Sequence, residues 1–384
     1  MRVKESELTP INEMISRLEK YVNMDSPSGN GECINKMNRL LQEEFEAAGC
    51  AVTRHERAGG DLLECRMGNG SKQVLLIGHM DTVFPVGTVA KRPFSITDNK
   101  MYGPGVLDMK SGVLMILDVM KYFNGRLPED WSLCALLNAD EEIGSHESRD
   151  KIMELSKQSV ACFCMEPSKP GFVTVARKGL ATFKIKVYGK EAHSGVNYLI
   201  GANAIQELAR IICDLYKLRD DEKGISVNMG TIDGGSGGGK GKTNIVAGYA
   251  EVGGEFRCYD VELLDSLLEK LEEVCAVPSV EGTKIELEIL AKRPPMKQDE
   301  ASKKLLEAGQ PIAAELGLEM VGRTHGGGSD GSYASYVGTP VIDGFGSEGE
   351  FSHSVDEYVK IDTLVARTML CVELLWKIIG GEVL

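Results

Sequence analysis

The stretch Val74-Leu-Leu-Ile-Gly-His-Met-Asp81 sets four apolar residues directly before a glycine, a histidine and an acid. A short apolar run that ends at glycine is typical of a buried strand in a parallel sheet. Two later runs also lead to acids: Leu133–Leu137 precedes Glu141-Glu142, and Ala161–Met165 precedes Glu166. Because ligands of an open α/β sheet bind at the carboxyl ends of its strands, we expect these side chains to converge on one crevice.

Five residues with metal-binding side chains stand at such strand ends or in turns rich in glycine and serine. They are two histidines and three acids: His79, Asp108, Glu142, Glu166 and His353. Imidazole and carboxylate suit zinc or a similar ion, and one carboxylate can give an oxygen to each of two ions about 3.5 to 4 Å apart. Asp108 follows the turn Gly103-Pro-Gly105 and is predicted to open a helix, which makes it the candidate bridge. The pattern is that of a two-metal hydrolase.

Two further acids, Asp81 and Glu141, have predicted supporting roles. Asp81 lies two residues after His79, so in an extended strand it projects to the same side and can accept the second ring N–H of that histidine. Glu141 and Glu142 are adjacent, and neighbouring side chains of an extended strand point apart. One of the two is therefore expected to bind metal and the other to move protons to and from the reacting groups.

The sequence around these motifs alternates helical and strand-like patterns. Helical periodicity covers Ile11–Val22, Ile34–Ala48 and Ser111–Phe123, while strand-like segments include Val74–Ile77 and Ser132–Leu137. Alternation of this kind predicts an α/β fold in which a mixed sheet is flanked by helices.

From residue 178 the pattern changes to the order β-α-β-β-α-β, which is the ferredoxin-like unit. Its expected elements are Phe183–Val187, Ala202–Tyr216, Ile225–Ile232, Ala250–Cys258, Val261–Val274 and Lys284–Leu290. The first and last strands of such a unit lie side by side in its sheet, so the chain leaves the unit near the point where it entered. We therefore predict a discontinuous first domain, residues 1–177 and 296–384, interrupted by an inserted domain at 178–295.

Composition narrows the classes of partner. A chain of 384 residues with a formal charge of −14 has no basic excess to bind nucleic acid or an anionic membrane surface, so a small-molecule substrate is favoured. The first ten residues contain no apolar signal region, and a cytoplasmic protein is expected. The ten cysteines include no Cys-x-x-Cys pair and are interpreted as reduced core residues.

At these motifs the chain resembles the dinuclear-metal peptidases and deacylases that include glutamate carboxypeptidase, succinyl-diaminopimelate desuccinylase, aminoacylase and the bacterial tripeptidases. The segments that carry the resemblance are Gly78-His-Met-Asp-Thr82, Tyr102-Gly-Pro-Gly-Val-Leu-Asp-Met-Lys-Ser-Gly112, Asn138-Ala-Asp-Glu-Glu-Ile-Gly144, Met165-Glu-Pro167, Glu191-Ala-His-Ser-Gly195 and Phe351-Ser-His353. They keep the family's order over nearly the whole chain, and the likeness is strongest to the glutamate carboxypeptidase branch.

The resemblance implies a role for each motif residue. His79 and Glu166 would bind one ion and Glu142 and His353 the other, with Asp108 bridging. Zinc is the expected metal, and cobalt and manganese are alternatives. Asp81 would support His79, and Glu141 would be the general base and acid. The inserted domain would act as a lid and as the dimerisation module of a homodimer, in which His193 would reach the partner's active site as an oxyanion donor.

Residues that resemble the family's substrate contacts are Arg257, Arg323, Asn244, Gly327 and Gly328. An arginine fork suits a substrate carboxylate, although a structural ion pair is the alternative for either arginine. The glycine-rich loop at 234–241 is longer than in the family. The expected activity is hydrolysis of an amide next to a free carboxylate, releasing a C-terminal amino acid such as glutamate. The alternatives are an N-acyl-amino-acid deacylase, an aminopeptidase or dipeptidase, and a metal-bearing amino-acid-binding protein without turnover.

Overall fold

The first part of the chain alternates helices and strands, as predicted. The computed structural model describes residues 2–237 and 241–384, so three residues of the glycine-rich loop, 238–240, lie outside the described part. The elements of the first part are α1 (Ile11–Val22), α2 (Gly31–Ala47), β1 (Ala51–His55), β2 (Leu62–Met67), β3 (Lys72–His79), α3 (Thr88–Lys91), β4 (Ser95–Thr97), β5 (Lys100–Tyr102), α4 (Ser111–Phe123), β6 (Trp131–Asn138), α5 (Arg149–Lys157), β7 (Ser159–Cys164) and β8 (Phe172–Arg177).

The middle part has the predicted β-α-β-β-α-β order. Its elements are β9 (Gly179–Tyr188), α6 (Ala204–Tyr216), β10 (Ser226–Gly235), β11 (Tyr249–Cys258), α7 (Val261–Ala276) and β12 (Lys284–Arg293). The sheet order is β10-β11-β9-β12, and every neighbouring pair is antiparallel. The first and last strands of this part of the chain, β9 and β12, are neighbours in the sheet, which confirms the expected ferredoxin-like arrangement.

The last part returns to helices with short strands between them. Its elements are α8 (Glu300–Glu315), β13 (Val321–His325), α9 (Gly331–Tyr336), β14 (Val341–Ile342), β15 (Gly349–Glu350), β16 (Tyr358–Lys360) and α10 (Ile361–Ile379). Among the helices of the described residues, none combines the length and the apolar character that a bilayer crossing requires.

A six-stranded mixed sheet in the order β1-β2-β6-β3-β7-β14 forms the centre of the first unit. β3 runs parallel to β6 and β7, whereas β2 is antiparallel to β6. All eight residues of β6 are buried, as are the last seven of β3. Strands buried on both faces read as continuous apolar runs, which is why Val74–Ile77 could be recognised in the sequence.

Contacts divide the chain into two units. One contains Met1–Ala176, Met296–His325 and Ser329–Leu384, and the other contains Arg177–Pro295 and Gly326–Gly328. Each has its own apolar core. The predicted boundaries place residues 326–328 in the first domain, whereas in the structure they cluster with the second, where Arg177 donates to the carbonyl oxygens of Gly327 and Gly328 at 3.3 Å.

All ten cysteines lie in the described part of the chain and none forms a disulfide. Eight are buried, and burial raises the pKa of several of their thiols, for example that of Cys134 to about 12. The interpretation of these cysteines as reduced core residues is confirmed for the buried eight, while Cys213 is exposed.

Candidate metal centre

Three neighbouring parallel strands carry candidate ligands to one edge of the central sheet. His79 is the last residue of β3 and pairs in register with Asn138, the last residue of β6. On the other side of β3, Ile77 pairs with Cys164 of β7. Since the three strands end at nearly the same level, the residues that follow β6 and β7, which include Glu142 and Glu166, emerge beside His79.

Asp108 is presented by an irregular turn and not by a helix. Gly103 and Gly105 have φ values of 145° and 71°, a backbone region that favours glycine. Asp108 itself has φ −113° and ψ 96°, its peptide bond to Met109 is cis, and α4 begins only at Ser111. The predicted helix Ser111–Phe123 is confirmed, but Asp108 does not open it, because the turn before the helix directs the Asp108 carboxylate toward the strand ends.

The two carboxylate oxygens of Asp108 face two separate groups of ligands. His79 Nε2 lies 3.1 Å from Oδ1, and Glu166 Oε1 lies 3.7 Å from the same imidazole nitrogen. His353 Nε2 lies 3.1 Å from Oδ2 and 3.0 Å from Glu142 Oε2. The structure thus brings all five predicted ligands together in two groups that share Asp108.

The protein's own hydrogen bonds perturb these groups strongly. Hydrogen bonds to Asp108 and Glu142 raise the pKa of His353 to about 11, although burial works in the opposite direction. Burial lowers the pKa of His79, but hydrogen bonds to Asp108 and Asp81 outweigh it and carry that pKa well above its ordinary value. Burial and the nearby Asp108 carboxylate raise the pKa of Glu166. The cluster therefore holds an excess of negative charge that cations stabilise.

The donor set fits two divalent cations. Three carboxylates lie within a few ångströms of two imidazoles, and Glu142 Oε1 is buried without a hydrogen-bond partner among the described residues. A buried carboxylate oxygen left unpaired is costly unless it binds a proton or a cation. Imidazole nitrogen and carboxylate oxygen are also the ligands of catalytic zinc sites.

Asp81 supports the site through more contacts than predicted. The ring nitrogen Nδ1 of His79 is 3.0 Å from the main-chain oxygen of Asp81 and 3.4 Å from its carboxylate. The carboxylate also accepts hydrogen bonds from the backbone N–H groups of Glu141 and Glu142, at 3.2 and 3.1 Å, and from the Ser28 hydroxyl at 2.7 Å. Asp81 therefore holds the segment that carries the two glutamates as well as orienting the histidine.

Glu141 and Glu142 point to different ligand groups. They start a short 3-10 turn, Glu141–Ile143, and not an extended strand. Glu142 shares a cluster with His79 and Asp108, whereas a carboxylate oxygen of Glu141 lies within 4.8 Å of ligand atoms of His79 and Glu166. Glu141 thus lies beside the centre, at the place where a proton acceptor for an attacking water would be needed.

The predicted substrate arginines make different contacts in the two units. In the second unit, Arg257 forms a two-point ion pair with Glu255, with Nε–Oε1 at 2.9 Å and Nη2–Oε2 at 3.0 Å, and Nη1 donates to the Gly326 oxygen at 3.0 Å. The ion-pair alternative therefore exists in the structure, and the ion pair and the bond to Gly326 together use three of the five N–H groups of Arg257. In the first unit, the Arg323 guanidinium lies 5.2 Å from the ring centre of Phe172.

His193 and Asn244 meet in the second unit. His193 forms an antiparallel β-bridge with Ile245, and the backbone N–H of Ser194 donates to the main-chain oxygen of Asn244 at 2.9 Å. The Nδ1 atom of His193 accepts from the backbone N–H groups of Gly195 and Val196, both at 3.2 Å. Because a backbone N–H can only donate, Nδ1 is unprotonated, and the proton of the neutral ring is on Nε2.

Two residues that contact the site were not predicted. Ser28 bonds to Asp81, and Glu357 accepts from the backbone of the turn that presents Asp108. Ser28 lies in the turn Ser26-Pro-Ser-Gly29, which carries no sign of its distant partner. Glu357 follows His353 by four residues, and an acid so close to a predicted ligand was the one available signal.

Two histidines and two glutamates around a shared aspartate carboxylate, at the carboxyl edge of a mixed α/β sheet, are the arrangement typical of dinuclear metallohydrolases. The comparisons with known proteins identify the family. Residues 75–377 match the model of peptidase family M20/M25/M40, and the chain belongs to that family. It is therefore an enzyme of a dinuclear metallopeptidase family.

The relatives cover nearly the whole chain. Carboxypeptidase G2 of Pseudomonas sp. (strain RS-16) is 31% identical over 379 residues, which are 96% of this chain and 90% of the relative. Succinyl-diaminopimelate desuccinylase of Wolbachia pipientis subsp. Culex pipiens is 27% identical over 77% of this chain and 76% of the relative. The structure of a tripeptidase from Staphylococcus aureus superposes with a TM-score of 0.78 at 24% identity, covering 97% of this chain and all of the other, and so has the same fold.

Proposed function

We propose that this enzyme is a carboxypeptidase that hydrolyses an amide bond next to a free carboxylate and releases the C-terminal amino acid, with glutamate as the first candidate. One observation supports the proposed hydrolytic activity. The five candidate ligands form two groups that share Asp108, and Glu141 lies beside them. Support for a carboxypeptidase comes from the 31% identity to carboxypeptidase G2 over 96% of the chain.

In this proposal His79 and Glu166 would hold one cation, Glu142 and His353 would hold the other, and Asp108 would serve both sites. Zinc is the first candidate metal, with cobalt and manganese as alternatives. Divalent cations bound there polarise the scissile carbonyl and increase the acidity of the attacking water. The chain's own residues fix the ligand positions and handle the proton.

Glu141 accepts the proton of the attacking water and delivers it to the leaving nitrogen. A carboxylate can serve both steps because it is a base before the attack and an acid after it. Its backbone N–H is anchored on Asp81 at 3.2 Å, which restricts the movement of its side chain. A nucleophilic serine or cysteine is not needed in this sequence of steps.

Arg257 binds the free carboxylate of the substrate in this proposal. Glu255 orients its guanidinium, and two of its five N–H groups are not used by Glu255 or Gly326. A guanidinium that retains a pair of N–H groups can still bind a carboxylate by two hydrogen bonds. Arg323, Asn244, Gly327 and Gly328 remain further candidates for substrate contacts.

In this proposal the protein is a homodimer, and His193 of one subunit donates a hydrogen bond to the oxyanion in the active site of the partner subunit. Its Nδ1 accepts two backbone N–H groups, so Nε2–H of the neutral ring is the donor that faces away from its own loop. An N–H at this position suits the negative charge that develops on the carbonyl oxygen. The cytoplasm remains the expected location, and nucleic acids and membranes are not expected partners.

The experiment that tests the proposed function is hydrolysis of a substrate panel with added zinc, cobalt or manganese. The panel contains peptides that end in glutamate or other residues, the same peptides with an amidated carboxyl end, N-acyl amino acids, and tripeptides with a free amino group. Cleavage that requires the free carboxylate supports the proposal. Equal cleavage of amidated and free peptides would contradict it and favour an aminopeptidase.

One other candidate has specific support. The likeness to succinyl-diaminopimelate desuccinylase favours a deacylase, which would cleave the N-acyl amino acids of the panel faster than any peptide. The structural likeness to a tripeptidase supports only the shared fold. A binding protein without turnover would hold metal and amino acid yet leave the whole panel intact.

A further inference from the structure

The turn that presents Asp108 is built around one buried carboxylate. Oε1 of Glu357 accepts from the N–H groups of Leu107 at 2.8 Å and Asp108 at 3.0 Å, and Oε2 accepts from that of Gly105 at 3.3 Å. Glu357 is fully buried, with 0% of its surface exposed. A residue that accepts three backbone N–H groups away from water fixes the path of that backbone.

The same glutamate is tied to the opposite ligand through the chain. His353 precedes it by four residues and has a left-handed backbone with φ 66°. Directly after Glu357, β16 pairs with β5, and Tyr358 faces Tyr102 at the residue that leads into the turn. One carboxylate therefore connects the turn that holds Asp108 with the segment that holds His353.

This connection matters because Asp108 contacts both groups of candidate ligands. His353 Nε2 lies 3.1 Å from Asp108 Oδ2, and the other oxygen of Asp108 lies 3.1 Å from His79. If the turn shifts by a few tenths of an ångström, both oxygens move. The affinity of a site for its metal depends strongly on the groups that hydrogen-bond to the metal ligands and orient them.

We infer that Glu357 is a positioning residue that sets the place of the Asp108 carboxylate relative to His353 and thereby sets the affinity of the protein for its divalent cations. The inference rests on the proposed metal-binding role of these two residues. Within the described part of the chain, the hydrogen bonds that the Glu357 carboxylate accepts come from backbone N–H groups of the turn, so its effect passes through Asp108.

A carboxylate is needed because all three partners are donors. In Glu357→Gln the amide oxygen can still accept from Leu107 and Asp108, but the amide NH₂ then faces the N–H of Gly105. Two donors in contact repel, so the turn must open on that side. Glu357→Asp keeps both acceptors and the charge but shortens the side chain by one methylene, which draws the turn inward or breaks its longest bond.

The experiment measures zinc affinity of the metal-free full-length protein by competition with a chromophoric chelator. We expect Glu357→Gln to weaken zinc binding about 10- to 100-fold. Glu373→Gln is the matched control, because Glu373 is also buried in the first unit and accepts one backbone N–H, that of Val3 at 2.7 Å. Glu373→Gln should lower the melting temperature of the metal-free protein and leave zinc affinity unchanged.

The possible results are distinguishable. Wild-type zinc affinity in Glu357→Gln, or an equal loss of affinity in Glu373→Gln, would overturn the inference. If Glu357→Gln fails to fold, as judged by circular dichroism, Glu357→Asp decides by the same criterion, and failure of both to fold counts against a role limited to positioning. If the wild-type protein binds no zinc, cobalt or manganese, the proposed function fails and not this inference alone.

Discussion

At the scale of single residues, the proposed roles of Glu141 in catalysis and of Glu142 in metal binding can be tested separately. Both residues follow β6, and Glu142 contacts His353 at 3.0 Å. We expect Glu141→Gln to keep the metal and lose about 10²- to 10⁴-fold in kcat, because the amide cannot accept the proton. Metal content by atomic absorption and turnover of the best panel substrate check this prediction.

Glu142→Gln is the control for that prediction. It removes a ligand oxygen that lies against His353, so metal content should fall along with activity. If Glu141→Gln lost its metal as completely as Glu142→Gln, Glu141 would be a ligand, and the proton would have to be handled by another group.

Arg257 separates substrate binding from chemistry. We expect Arg257→Lys to raise KM for a substrate with a free carboxylate about 10- to 100-fold with a smaller change in kcat, because lysine keeps the charge but loses the planar fork. Steady-state kinetics on a C-terminal glutamate peptide measure the split. Arg219→Lys is the control, since Arg219 is exposed in the same unit and pairs with Asp221 at 2.9 Å. An unchanged KM in Arg257→Lys would leave Arg257 with its structural contacts to Glu255 and Gly326 and would contradict the substrate-binding role.

The candidate ligands could be predicted from the sequence because each follows a recognisable apolar run or turn. The partners of Asp81 could not be predicted in the same way. Its carboxylate bonds depend on where the segment after β6 passes and on Ser28, which lies 53 positions earlier. Side-chain periodicity gives the direction of Asp81 but not the backbone groups that it meets.

At the scale of elements, α4 carries a buried carboxylate that makes stability depend on pH. Burial raises the pKa of Asp118 from 3.8 to about 6, although Thr9 and Lys121 act to lower it. The folded state therefore binds more protons than the unfolded state between about pH 4 and pH 6, and stability falls as pH rises through this window. The loss is complete above the folded pKa and amounts to roughly 1 to 3 kcal/mol.

Asp118→Asn removes this ionisation and retains an oxygen for the Thr9 hydroxyl. We expect the variant to gain stability over the wild type as pH rises from 4 to 7, measured by denaturant unfolding at each pH. Asp150→Asn is the control, because Asp150 on α5 has 83% of its side chain exposed. A stability difference that is constant over this pH range would contradict a raised pKa for Asp118.

The long elements were predictable and the short ones were not. β3 and β6 are recognisable as apolar runs and α1 by its period, but β4, β15 and β16 have only two or three residues each. Such strands form because their neighbours lie in place, as β16 does against β5. Their local sequence contains too few residues for a period to appear.

At the scale of the whole molecule, the inserted unit was predictable from the order of its elements. β9 and β12 pair along nearly their whole length, with Leu180 opposite Arg293, so both ends of the unit lie together. The grouping of Gly326–Gly328 with this unit was not predictable. It depends on hydrogen bonds from Arg177 and Arg257 to carbonyl oxygens more than 60 residues away in sequence.

Metal removal should destabilise the protein. Asp108, Glu142 and Glu166 repel one another when no cation is bound, and an ion that binds only the folded state adds about 2.7 kcal/mol at 100 times its dissociation constant. We expect a chelator to lower the melting temperature by several degrees and zinc to restore it. Asp108→Asn should show little response to either, and an unchanged wild-type melting temperature would argue against the metal centre.

The proposed dimer can be tested by mixing two inactive variants. In the proposed mechanism, His193→Ala lacks the oxyanion donor and Glu141→Gln lacks the base. If His193 acts in the partner's site, the mixed dimer has one complete site, formed by Glu141 of the first variant and His193 of the second. Random exchange makes half of the dimers mixed, so activity should return to roughly a quarter of the wild type.

Recovery would require subunit exchange, which mild denaturation and refolding of the mixed variants provides, and light scattering gives the oligomeric state before and after. Each variant treated alone is the control and should stay inactive. If His193 served the site of its own subunit, every subunit in the mixture would still lack one catalytic group. Absence of recovery in a mixture shown to contain mixed dimers would therefore place His193 in its own subunit's site, and a monomeric wild type would remove the dimer from the proposal.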